Sequence, residues 1–149
     1  MKDRKDRALA LALGDLLLER CRDQLVDWHI DAVVPVPMHW TRRVWRGVNS
    51  PTTIAQRIAA HLRVPMTEHL LVRRRRTVPQ ARLSPRRRRA NVRGAFRASV
   101  HRDLHGARLL VVDDIMTTGA TLNEAAKALT RAGAEFVAVA VVARASAVH

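Results

Sequence analysis

Hydrophobic residues recur along the chain with two different spacings, and the changes of spacing mark out its elements. Over residues 8–27, Leu9, Leu13, Leu17, Cys21 and Leu25 return at every fourth position, which predicts a helix with one face turned inward. The run Ala32-Val33-Val34-Pro35-Val36-Pro37 predicts a short buried strand that stops where prolines remove backbone donors, with loop following through Gly47. Ser50 and Pro51 start a second helix, Ile54, Ala55, Ile58 and Leu62 form its inward stripe, and Pro65 ends it. Leu70-Leu71-Val72 reads as a short strand and residues 95–100 as a half-buried one. Leu109-Leu110-Val111-Val112 is apolar on both faces and so belongs in a sheet centre. A helix over about residues 121–132 carries Leu122, Ala125, Ala126 and Leu129, Gly133 stops it, and residues 136–143 form the last strand.

Strands alternate with helices, and neither a repeat nor a linker divides the chain. The expectation is one α/β domain over residues 1–149, a doubly wound and mostly parallel sheet, with the packing helix inside residues 1–30 and a mobile basic loop over 73–94.

With 149 residues and 48% apolar content the chain can bury one core, and at 3% aromatics that core must be mainly Ala, Val and Leu. The net charge of +14 rests on twenty-four arginines against three lysines, a balance that favours polyanionic partners. Eleven of those arginines fall within residues 73–97, where there is no acid. Cys21 stands alone, so it forms no intramolecular disulfide and the chain supplies no cysteine zinc site; its place on an apolar stripe makes it a small core residue. No apolar run approaches the roughly 18 residues of a membrane span, and the charged start leads into only a short Ala/Leu run, so the expected location is the cytoplasm.

In an open parallel sheet, ligands sit beyond the carboxyl ends of the strands, and Asp113-Asp114 follow the central apolar run at that place. Two adjacent carboxylates are costly there unless hydroxyls or a cation meet them. A vicinal diol, with or without Mg²⁺, does so. Ile115-Met116-Thr117-Thr118-Gly119-Ala120-Thr121 then supplies three hydroxyls, a glycine for close backbone approach and the start of a helix, which together make a phosphate cradle. Thr121 has a second reading as the first residue of a capping box with Glu124. The unit is neither a Walker loop nor a dinucleotide fingerprint, because the Gly-Lys-Ser/Thr and glycine spacings are missing.

The run Leu110-Val111-Val112-Asp113-Asp114-Ile115-Met116-Thr117-Thr118-Gly119-Ala120-Thr121-Leu122 resembles the phosphoribosyl pyrophosphate (PRPP) motif of type I phosphoribosyltransferases. Val34-Pro35-Val36-Pro37-Met38-His39-Trp40, Arg46-Gly47-Val48-Asn49, Pro79-Gln80-Ala81 and Arg89-Ala90-Asn91-Val92-Arg93-Gly94-Ala95-Phe96 resemble successive signatures of the ComF family. The resemblance implies that Asp113 and Asp114 meet the ribose hydroxyls and that residues 117–121 hold the 5-phosphate of PRPP or another ribose 5-phosphate. It implies Mg²⁺ bridging ribose and pyrophosphate, and a pyrophosphate loop over residues 36–43 that includes Val36, Pro37, Met38 and His39. It also implies a role in competence and DNA uptake, with single-stranded DNA and a competence helicase as candidate partners and a homodimer as a candidate assembly. Many members of that family begin with a cysteine-rich zinc ribbon, which is not expected within this chain. Ser50-Pro51-Thr52 after Asn49 departs from the family's usual glutamine and small or acidic residues.

The basic segment has three readings. Arg73, Arg74, Arg75, Arg76, Arg86, Arg87, Arg88 and Arg89, with Arg82 and Arg93 near the family signatures, could close over a departing pyrophosphate, Arg82 joining Asp113 and Asp114 in the chemistry. They could instead track a nucleic-acid backbone, with Trp40, Trp45 and Phe96 as stacking surfaces, or simply be solvated. His39 reads as structural or catalytic, and Trp28 and His29 as packing at the end of the first helix.

Overall fold

The central strand decides the architecture, because a strand apolar on both faces needs cover on both sides. In the computed structural model, which describes residues 2–38, 50–75, 77–78, 83–99 and 102–145, that strand is β4 (Arg108–Met116). It pairs in parallel with β1 (Ala32–Pro35) on one side and β5 (Phe136–Arg144) on the other, in the order β1-β4-β5. Helix α1 (Lys2–Asp27) packs against β5, and α2 (Ser50–Leu62) packs against β1, β4 and α1. Together they bury Val33, Leu110, Val112, Ala138 and Ala140 beneath Leu17, Leu25, Ile54 and Ile58. On the opposite face α4 (Ala120–Arg131) and an antiparallel pair, β2 (Leu71–Arg73) with β3 (Phe96–Ala98), cover Val34, Leu109 and Val111 with Leu71, Phe96, Leu122 and Leu129. The sheet is thus wound on both faces as its alternating pattern requires.

Three details differ from the sequence pattern. Leu9 is 59% exposed, and the buried positions of α1 are Ala10, Gly14, Leu17, Leu18 and Leu25. A strict four-residue spacing overshoots the 3.6-residue turn by about 40° per step, so Leu9 and Leu25 fall on different faces. The basic segment is not loop throughout, because α3 (Pro85–Val92) forms inside it. Ser84 stands at its N-cap with Pro85 in the first turn, and Val92 is buried. Finally, Trp28 packs on Phe136 with ring centroids 5.9 Å apart, whereas His29 is exposed with a left-handed φ of 49°.

Among the described residues, no helix is long and apolar enough to cross a membrane. Cys21 is half-buried against the α1/α2 side of the sheet, as its place on the stripe predicts.

Candidate functional site

β1 and β4 part company at the carboxyl edge of the sheet. Their pairing ends at Pro35 opposite Val112, after which the Val36 N–H donates to the Val112 carbonyl at 2.9 Å. β4 continues to Met116, held extended by β5 through Met116 opposite Arg144. Asp113 and Asp114 therefore lie inside β4, two residues earlier than its end and beyond the last rung to β1. The expectation that the strand stops at Val112 fails because β5 carries it on to Met116, pairing with Asp113, Ile115 and Met116.

Asp114 is buried at 9% exposure and Asp113 is half-buried. Each carboxylate accepts the N–H that follows it: Asp114 N donates to Asp113 Oδ1 at 2.9 Å, and Ile115 N donates to Asp114 Oδ1 at 2.8 Å. These bonds orient each carboxylate against its own backbone. The chain then turns through residues 117–119. Thr118 Oγ1 accepts the Ala120 N–H at 3.3 Å, and Gly119 takes a φ of 74°, a left-handed conformation that a side chain resists. α4 starts at once, aiming its first N–H groups and the positive end of its dipole at the turn.

Thr121 is the second residue of α4, with Gly119 at the N-cap, so the capping box with Glu124 does not form. Glu124 instead accepts the Gly94 N–H at 2.9 Å and the Lys127 ammonium at 3.0 Å. The Gly94 bond, more than any other influence, holds its carboxyl below the ordinary carboxylate value. Nothing local in the sequence marks this contact, which spans thirty positions.

Val36 is buried, and Pro37 and Met38 are half-buried beside the end of β1. Arg73 reaches them: its guanidinium donates to the Pro37 carbonyl at 3.3 Å and to Thr77 Oγ1 at 2.8 Å, and lies 4.7 Å from the Phe96 ring centroid. It thereby ties the loop after β1 to the β2/β3 pair. Arg74, Arg75, Arg89 and Arg93 are exposed, with Arg75 donating to the Arg93 carbonyl at 2.7 Å. Asn91 brackets Val78, accepting its N–H at 3.0 Å and donating to its carbonyl at 2.8 Å. His39, Arg76 and Arg82 lie outside the described residues, as do Trp40, Trp45 and the signatures at 46–49 and 79–81.

This assembly of strand, acid pair, turn and helix defines the class. Residues 49–147 match the phosphoribosyl transferase domain model, and the chain belongs to that family. Its relatives place it in the ComF family within that class: it is 35% identical over 116 residues to Competence protein F of Haemophilus influenzae, covering 77% of this chain and 51% of that protein. It is 38% identical over 110 residues to the DNA utilization protein YhgH of Salmonella typhi, covering 73% of this chain and 47% of that one. The chain thus spans about half the length of these relatives. Among solved structures, the glutamine PRPP amidotransferase of B. subtilis superposes with a TM-score of 0.60 at 24% identity, over 91% of this chain and 26% of that one, a likeness of fold. The fold is that of the type I phosphoribosyltransferases.

Proposed function

We propose that the chain binds PRPP with Mg²⁺ at the carboxyl edge of β4 and transfers its phosphoribosyl group to an acceptor, releasing pyrophosphate. The observation that carries this reading is the direct succession of two oriented carboxylates, a left-handed glycine turn and a helix N-terminus within residues 113–120. Asp113 and Asp114 accept hydrogen bonds from the two ribose hydroxyls. The backbone N–H groups and hydroxyls of Thr117, Thr118 and Thr121, with Ile115 and Met116 leading in and Gly119 and Ala120 at the turn, surround the 5-phosphate.

Mg²⁺ would be held through the ligand and not by the chain directly: hard sugar and pyrophosphate oxygens with water would form its shell, near Asp113 and Asp114, and among the described residues no three carboxylate, imidazole or thiolate groups converge. When bound, Mg²⁺ neutralises charge on the pyrophosphate. Val36, Pro37, Met38 and His39 lie along the pyrophosphate, and arginines of the basic segment, Arg82 among them, close over it as it departs. The chain's part in the chemistry is to position and to stabilise charge, with no protein nucleophile. The reading makes this a cytoplasmic enzyme.

Phosphorus NMR of PRPP with the chain tests the phosphate contact. The 5-phosphate resonance should shift on binding, and the shift should vanish with Gly119→Val. A shift that is the same with Gly119→Val would remove the turn from the site.

A second reading is favoured by the exposed arginines of α3 and its flanks and by the names of the relatives: an accessory role in DNA uptake, with the basic segment on single-stranded DNA beside a helicase.

A further inference from the structure

Helices α1 and α2 both end at the amino edge of the sheet, opposite the acid pair. α1 stops just ahead of β1, and the chain leaving α2 reaches the start of β1, where the Val33 N–H donates to the Pro65 carbonyl at 3.0 Å. A groove of about 670 Å³ opens between the two helix ends. Small-molecule sites span roughly 300–1,000 Å³, so its size fits one. The floor is apolar, with Leu25 and Ile30 buried and Leu62 half-buried. The rim is basic, with Arg22, His29, His61 and Arg63 all exposed. Among the described residues, no acidic side chain lines it.

A separate observation lies in the backbone. Among the described residues, His29 and Arg63 are the two residues other than glycine with a left-handed φ, 49° and 56°. Each stands just past the last turn of a helix. The Arg63 N–H donates to the Ala60 carbonyl at 3.3 Å and the Val64 N–H to the Ala59 carbonyl at 3.1 Å, the paired bonds that close a helix on a left-handed residue. The His29 N–H donates to the Val26 carbonyl at 3.1 Å in the same manner. Glycine adopts that conformation freely, whereas a side chain there is strained, and such strain gathers where the side chain is used. Both helices thus carry a basic side chain where stability alone calls for glycine, and both side chains line the same groove. The helix dipoles do not cancel this charge: each end contributes about half a negative charge, against two full guanidinium charges.

We propose that this groove is a second ligand site, for a small molecule that carries an oxyanion, phosphate or carboxylate, on an apolar or aromatic body. Arg22 of α1 and Arg63 just past α2 present forked donors to the oxyanion, and His29 and His61 add ring donors. The apolar body lies on Leu25, Ile30 and Leu62. The ligand thereby bridges the ends of α1 and α2. The site shares no residue with the carboxyl edge of β4, and the proposal stands whether or not PRPP binds there.

Nitrogen–proton correlation NMR of the full chain, titrated with 1-naphthyl phosphate and with 1-naphthoate, tests this. Amide shifts should saturate at residues 29–30 and 61–63 with at least one probe, the tighter of the two identifying the head group. 1-Naphthol, which lacks the charge, and inorganic phosphate, which lacks the apolar body, should each bind more than about tenfold more weakly. Arg22→Gln/Arg63→Gln should raise the dissociation constant of the tighter probe by more than about tenfold. His29→Gly/Arg63→Gly, which eases both left-handed positions, should also weaken binding while its Tm holds or rises. All three positions are exposed, and circular dichroism should show the native fold in both variants. Saturation with neither probe, shifts confined to residues 113–121, either control binding as tightly as the probes, undiminished binding by either variant, or a lower Tm in the glycine variant overturns the proposal.

Discussion

The Glu124 carboxylate on α4 accepts the backbone N–H of Gly94 at 2.9 Å, joining the helix that follows the Gly119 turn to the chain reversal that ends the arginine-rich helix. Gly94 has a φ of 64°, and its N–H is presented to Glu124 as the chain leaves α3. The basic segment is thereby fixed at its far end to the element that frames the site.

Glu124→Gln should destabilise the fold by about 1–2 kcal/mol at neutral pH, since a charge-assisted acceptor is replaced by a neutral one. The folded-state pKa of Glu124 is depressed from the ordinary 4.5, so its stabilisation is present above that value and is lost as pH falls through the lower folded value. Denaturation at a series of pH values should show the difference between native and Glu124→Gln chains at pH 7 and its shrinkage below about pH 4.5. A difference that is constant across the acid range would refute the assignment.

Gly119→Ala should cost about 1–2 kcal/mol through backbone conformation alone, because the added Cβ would meet only the Met116 side chain, at an ordinary 3.5 Å from Sδ and 4.0 Å from Cγ. Gly119→Asn should cost less, since asparagine tolerates the left-handed region better. Urea denaturation of the two variants checks the order.

Two neighbouring arginines should behave differently. Arg73 holds the Pro37 carbonyl, Thr77 and the Phe96 ring, and Arg73→Ala should cost about 2 kcal/mol. Arg75 is exposed, and Arg75→Ala should stay within about 0.5 kcal/mol. Thermal denaturation of both variants decides whether Arg73 is a structural tie, and equal effects would contradict it.

How much of the fold and site is legible in the chain follows from where the determinants lie. The doubly wound sheet can be read from Leu109-Leu110-Val111-Val112, because a run apolar on both faces admits only a central strand. The succession of acids, threonines and glycine can be read because its members are contiguous and the local backbone brings them together. Non-local determinants are hidden. The four further residues of β4 depend on β5, Glu124 finds Gly94 across thirty positions, and Arg73 looks like any other arginine of its cluster until Phe96 and Pro37 are placed beside it. α3 escapes a reading of the sequence for another reason: four consecutive arginines disguise a helix whose signals are the Ser84 cap position, Pro85 and the inward Val92.

If the basic segment tracks single-stranded DNA, replacing Arg86, Arg87 and Arg89 of α3 together with glutamine should weaken binding. It should also make the dependence of log affinity on log salt shallower by roughly 2, about 0.7 for each phosphate that an arginine no longer neutralises. Fluorescence anisotropy of a labelled oligonucleotide over a salt series measures this. An unchanged slope would take α3 out of any nucleic-acid surface.

Calorimetric titration of PRPP with Mg²⁺ into the native chain and into Asp113→Asn/Asp114→Asn tests the central claim most directly. Saturable binding by the native chain, and severe loss of it in a variant that keeps its fold by circular dichroism, is the result predicted. Equal binding by both, or none by the native chain, would contradict the assignment of the ribose hydroxyls to the two carboxylates of β4.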